Sequence, residues 1–354
     1  PLADRAEVLS EVELPRSTDD NAGQSAGIPE PVFGGAAISR GRVFFVSTGG
    51  VYAIGPKTAN AVTGWAVDTT AEKGDGPPSF VQVIPTELVL RPGQTVKLHA
   101  RLFDAKGRFL REETAAAWSL QGLKGTVADG TLTVAADPAD QAGLIKATAG
   151  GLTGEARARV VHPLPWTETF DSYADGAVPA GWVNAVAGKF SVTTLEGQKV
   201  LQKAPDATIF KRIRAFIGPV DWSDYTFEAD VRATTKRRQM ADIGITAQRY
   251  TLVLYGNAQQ LKIEPWEPEV QRSVTVPYAW KPDTWYRLKL RVENMPDGKV
   301  RARGKVWLTG QAEPADWMID KVDALGNRQG APGFFVDAEF GAYLDNLKLT
   351  ANPQ

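Results

Sequence analysis

Several side chains in this sequence could do chemistry. Glu228 and Asp230 lie two apart in YTFEADVRA, so they share one face of a strand, where paired carboxylates could serve as general acid and nucleophile. A retaining glycosidase needs its two carboxyl groups about 5 to 5.5 Å apart across the scissile bond. Here Ala233 stands where a third acid would have to follow, and Phe227, Ala229 and Val231 alternate with the acids in ordinary in/out fashion. A solvated strand face is therefore predicted, and no catalytic residue is expected. Glu264, Glu267 and Glu269 surround Trp266 and are separated by Pro265 and Pro268, which predicts an exposed, kinked loop. Trp266, Trp280 and Trp317 stand beside prolines or acids and are the candidates for a ligand-contacting surface, whereas Trp285 and Leu288 read as core. The two histidines, His99 and His162, are far apart, and no zinc-ligand spacing, nucleophile elbow or phosphate loop occurs.

Composition narrows the function classes. The 354 residues are 43% hydrophobic and 23% charged, as in a globular protein of two or three domains. Forty Lys and Arg against 41 Asp and Glu leave no global field for nucleic acid, so none is expected as a partner. The absence of cysteine removes disulfides and thiolate chemistry together. No apolar run approaches the roughly 20 residues that span a bilayer, so no transmembrane segment of its own is expected. The chain opens at Pro1 without methionine or a hydrophobic leader, which suggests processing or a fragment, and the periplasm or cell surface of a bacterium is the expected location.

The elements that must position these residues are all strands. Residues 1–32 form a polar arm with too little apolar surface to order itself. RVFFV and GVYAIG, split by STGG, predict a β-hairpin over 33–58, and a Gly/Pro-rich linker follows over 59–78. Residues 79–162 give short strands at regular spacing, with Val96, Leu98, Ala100 and Leu102 facing one way and Lys97, His99 and Arg101 the other. Residues 163–354 hold all the tryptophans except Trp65 and Trp118, and read as longer strands, among them ADIGITAQRYTLVLYG taken as one. AEPADWMIDKVDALG offers at most one helical turn, so the predicted class is all-β.

Three resemblances accompany this reading. FGGAAISRGRVFFVSTGGVYAIGPK resembles one blade of a pyrroloquinoline-quinone-type β-propeller, though a single blade implies no quinone site. The IPTELVLRPGQT run, Trp118 and the closing ATAGGLTGEA resemble a bacterial immunoglobulin-like domain. Phe170–Asp171, PAGW over 179–182, YTFEADV, WYRLKLRV and LDNLKL resemble a concanavalin A-like or laminin G-like jelly roll. This last resemblance implies a structural calcium between the first and last strands, with Asp171 and Asp345 as its carboxylates. No other cofactor is implied.

The function expected from these features is that of a non-catalytic, exported scaffold subunit and not an enzyme. It would dock its arm and hairpin, through Val43, Phe44, Phe45, Val51 and Tyr52, on protein partners in a larger, membrane-bound envelope complex. The alternative is a carbohydrate-binding module whose partner is a polysaccharide. A glycoside hydrolase ranks third for want of its second glutamate.

Overall fold

The computed structural model describes residues 11–16, 29–30, 32–39, 41–47, 50–55, 74–136, 141–184, 188–205, 212–266 and 272–353. Most of the arm, residues 59–73 of the 59–78 linker, and Glu267 and Glu269 lie outside them. The described residues contain no α-helix, and no helix is long and apolar enough to cross a membrane. The chain is all-β, in two compact units, Pro1–Ala71 and Glu72–Gln354.

The first unit holds a three-stranded antiparallel sheet, Val32–Ser39, Arg42–Ser47 and Val51–Ile54, in that order. The predicted hairpin thus gains a third strand from the small residues before it. Val43, Phe44 and Phe45 are half-buried; Tyr52 stacks on Phe45 at 5.3 Å and donates to Glu30 Oε2 at 2.7 Å, while Val51 is exposed.

The second unit has two separate apolar cores. One joins Val83, Leu90, Leu98, Leu132, Ile145 and Val160, buried by short sheets over residues 80–160. Its alternation is the one read from sequence, with Leu98, Ala100 and Leu102 inside and Arg101 outside, paired with Glu112 at 2.6 Å. The other core lies between an eight-stranded and a seven-stranded sheet, a sandwich of the jelly-roll kind, built from residues 166–351. Tyr225–Ala233 is central to the eight-stranded sheet, flanked by Tyr286–Asn294 and Ala342–Ala351. Its odd-numbered residues enter the core and its even-numbered ones face outward, because a strand alternates faces every residue.

The seven-stranded sheet runs Val183–Asn184, Arg212–Phe216, Gly333–Asp337, Asp242–Ala247, Tyr250–Tyr255, Gln260–Pro265, Val274–Pro277. The stretch read as one strand from Ala241 is therefore a hairpin. Gln248 and Arg249 both take positive φ, 48° and 67°, which is a two-residue primed turn made without the glycine or Asn-Gly that usually announces it. AEPADWMIDKVDALG supplies an edge strand, Ile319–Asp323, and not a helical turn.

Buried hydrogen bonds hold this hairpin in place. The Tyr225 hydroxyl, fully buried, donates to the Gly330 carbonyl and accepts from the Gln248 amide, each at 2.8 Å. The buried Gln248 side chain accepts from the Asp224 amide and donates to Asn294 Oδ1 and the Asn327 carbonyl, so all its polar atoms are used. Tyr225→Phe would strand an amide and a carbonyl at no cost in shape. It should lower unfolding free energy by about 1–3 kcal/mol in urea titrations; a loss under about 0.5 kcal/mol would show that these groups find other partners.

Candidate functional site

The candidate site is the outer face of the seven-stranded sheet. Ile213, Ala215, Ile243, Ile245, Leu252, Leu254, Leu261 and Ile263 fill the core. Their neighbours in sequence must point away from it, and the pairing register sets these in three rows. The first is Arg212, Asp337, Asp242, Tyr255, Gln260. The second is Arg214, Phe335, Gly244, Val253, Lys262. The third is Phe216, Gly333, Thr246, Thr251, Glu264, with Trp266 two residues further on the same parity.

Gly244 and Gly333 sit in the middle strands of these rows. A Cβ on Gly244 would lie 2.4 Å from the Leu252 carbonyl oxygen, and one on Gly333 would lie 2.4 Å from that of Ala215. The glycines let the strands close up and leave the centre of the face lower than its flanks.

The flanks carry charge and aromatic surface. The Arg214 guanidinium lies 4.8 Å from the Phe335 ring centre and 5.2 Å from that of Trp266, and donates to Thr251 Oγ1 at 3.0 Å. Trp266 is 46% exposed with Phe216 beside it at 5.9 Å, so its ring offers free apolar area. Across the face, the Tyr255 hydroxyl donates to Glu264 Oε2 at 3.2 Å, and Lys262 reaches the same oxygen at 3.0 Å. Burial, then the Glu264 charge, pushes the Tyr255 phenol up, so it remains a donor. At the opposite edge Arg212 pairs with Asp337 at 2.8 Å.

Asp242 differs from these acids. It accepts the Gly256 amide at 2.7 Å and has no ion-pair cation among the described residues. Burial, reinforced by the Asp337 and Glu264 charges, raises its carboxyl to about 6. It lines a recess of about 170 Å³ with Asp337, Asn257 and Glu339. A carboxyl that exchanges its proton near neutral pH on a face of hydrogen-bonding groups can act as general acid or base.

The residues singled out in the sequence scatter. Glu228 and Asp230 point out of the opposite, eight-stranded sheet and are neutralised there: Arg287 lies 3.4 Å from one and 3.2 Å from the other, and Lys289 adds to Glu228 at 3.6 Å. Trp280, expected on the surface, is only 4% exposed; its indole donates to the Tyr255 carbonyl and packs edge-on to Tyr286. The neighbouring Lys281 and Pro282 suggested a loop surface, but the core reaches under that loop. Trp317 is half-buried against Arg303 and Lys305 on the outer side of the eight-stranded sheet, so it shares no surface with Trp266. Trp266 alone of the three is where a contact surface needs it.

Asp171 accepts from Thr169 at 2.7 Å, and buried Asp345 from the Asn346 amide at 2.7 Å. Burial, then the charges of Asp230, Asp171 and Glu168, raises Asp345 to about 6. Among the described residues no group of three or more acids or histidines is placed to hold a metal ion; the calcium implied by the resemblance would take carbonyl oxygens beside Asp171 and Asp345.

Arg214, Asp242 and Lys262 went unnoticed in the sequence. Each stands at an alternate position of a strand, which is visible, but only strand order shows that they share a face.

No family model and no curated protein matches the chain. Among solved structures it is similar to the alginate lyase Aly36B, at 12% identity over 54% of this chain and 99% of that one, TM-score 0.36. It is also similar to the carbohydrate recognition domain of Emp46p, at 11% over 53% and 96%, TM-score 0.33. A third is a bifunctional GH43-CE protein of Bacteroides eggerthii, at 12% over 90% of this chain and 40% of that one, TM-score 0.37. The expectations of a non-catalytic docking scaffold and of no enzymatic activity are corrected by these carbohydrate-active neighbours, although the likeness is one of fold alone.

Asp242 sets a pH dependence. Its folded carboxyl keeps a proton up to about pH 6, whereas an unfolded one releases it near about 4. Stability is therefore lost as pH rises between these values and stays lost above them. Asp242→Asn should gain about 1 kcal/mol at pH 8, after allowance for solvent screening, and nothing at about pH 4. Denaturant titrations at the two pH values check this, and an equal gain at both would refute it.

Proposed function

We propose that the chain binds a polysaccharide along the outer face of the seven-stranded sheet. The observation that carries this reading is the exposed Trp266, braced by Phe216 and Arg214 on the outer face of the seven-stranded sheet. The apolar face of a sugar ring packs on an indole, while its hydroxyls need partners held in place. Arg214 and Lys262 supply donors, and the Tyr255 hydroxyl oxygen and Asp242 supply acceptors, on a floor lowered by two glycines. A periplasmic or surface location, where such chains are met, goes with this reading.

The position of Asp242 favours a second activity of the same face, cleavage of the bound chain, with Asp242 moving the proton and Tyr255 and Lys262 holding the sugar. Asp242→Asn would then abolish release of new chain ends while binding persists.

Affinity electrophoresis against a panel of polysaccharides tests the binding. Trp266→Ala should weaken it at least 10-fold, about 1.4 kcal/mol, while Trp317→Ala leaves it unchanged. Equal retention of the two variants and the parent would place binding elsewhere or nowhere.

A further inference from the structure

Beyond the third row, the outer face runs into a cavity of about 750 Å³ inside the Glu72–Gln354 unit, between its two cores. That volume is within the usual range of about 300–1,000 Å³ for small-ligand sites. Much of its wall is apolar, from Val89, Val161, Phe216, Pro219, Val220 and Trp266. Trp266 belongs to both the cavity and the face.

Three arginines from three different elements also line it: Arg91, Arg159 and Arg249. Their placement follows from the strands. Leu88, Leu90, Ala156, Ala158 and Val160 are in the first core, so Glu87, Val89, Arg157 and Arg159 point outward, with Arg91 next on the same parity. The cross-strand register sets Arg157 against Glu87, with which it forms an ion pair, but sets Arg159 against Val89, which offers no charge. Arg249 occupies the primed turn anchored by the Tyr225 hydroxyl bond to Gln248. Among the described residues none of the three guanidinium groups forms an ion pair, and Asp221 is the one acid in the lining. In a chain whose net charge is −1, this is a local excess of positive charge beside exposed aromatic surface.

We infer that this cavity takes an anionic saccharide unit, its charge carried by a carboxylate or a sulfate, from the polysaccharide held on the adjoining face. The inference rests on the polysaccharide reading and adds the sign of the sugar's charge and the part played by the residue 80–160 region. Guanidinium forks match both oxyanions in bidentate geometry, and a site partly walled from water strengthens the attraction. Trp266 stacks the ring at the mouth, and the arginines hold the charged group within.

Calorimetric titration of the full chain with three probes tests this: an oligogalacturonate, a sulfated galactan oligomer and a neutral cello-oligosaccharide. At least one charged probe should bind 10-fold or more tightly than the neutral one. The triple variant Arg91→Gln, Arg159→Gln, Arg249→Gln should lose that preference and leave affinity for the neutral probe unchanged. Arg91 and Arg249 are exposed and Arg159 is half-buried, and an unchanged melting temperature would show that the fold is kept. Arg159→Lys, which keeps the charge but not the fork, should give an intermediate loss. A preference that survives the triple variant overturns the inference and places the anion elsewhere on the face. Equal binding of charged and neutral probes overturns it while leaving the polysaccharide reading standing; binding of no saccharide at all overturns both.

Discussion

The Tyr225 hydroxyl is the contact on which the functional end of the sandwich depends. It comes from the central strand of one sheet, is fully buried, and spends both its donor and its acceptor on backbone, at Gly330 and Gln248. A buried polar group must be paired or costs about 1–3 kcal/mol, so the constraint works in both directions. It fixes a glycine-free primed turn at one end of the neighbouring sheet, and with it Arg249 and the Gly330 loop at the cavity rim. Tyr250 repeats the device, donating to Asp323 at 2.7 Å and accepting from the Asn327 amide at 3.2 Å.

The two outer faces of the sandwich differ in how completely their charges are paired. On the eight-stranded sheet nearly every charge is answered: Arg287 serves Glu228 and Asp230, Glu313 takes Lys289 and Lys305, and Asp320 holds Arg301. Such a network lies close to neutral and has little left for a ligand. On the seven-stranded sheet Arg212 pairs with Asp337 and Lys262 with Glu264, but Asp242 forms no ion pair among the described residues, Arg214 is held by aromatic rings and a hydroxyl, and Trp266 remains nearly half exposed. Groups left with unspent interaction capacity and already held in place are what recognition needs, because their ordering cost has been met in folding.

Much of the fold was legible before the structure, and the physical reason is alternation. Runs such as YTFEADVRA and TWYRLKLRV can bury one face only as strands, and the turn-rich spacing left no room for a helix. Legibility failed where a turn lacked its usual residues, as at Gln248–Arg249, and where burial depends on distant chain. Trp280 looked like loop surface because a proline follows it closely in the chain, yet Tyr255 and Tyr286 close over it. Glu228 and Asp230 drew attention because they are near in sequence, whereas Asp242, raised like Asp345 to about 6, has its relevant neighbours Asp337 and Glu264 on other strands.

By itself the sequence determined the all-β class, the in/out assignment along most strands and the presence of an exposed tryptophan near Pro265, since these follow from periodicity and local backbone chemistry. Only the tertiary structure decided which strands are neighbours, and therefore which outward residues form a surface. Arg214, Gly244, Tyr255 and Lys262 come from four strands that keep their chain order in the sheet but have Gly333–Asp337, from near the end of the chain, inserted between the first two, and Arg91, Arg159 and Arg249 come from elements up to about 160 residues apart. Hydrogen-bond register across strands leaves no local trace in the chain, so sites assembled by register become visible only once the sheets have formed.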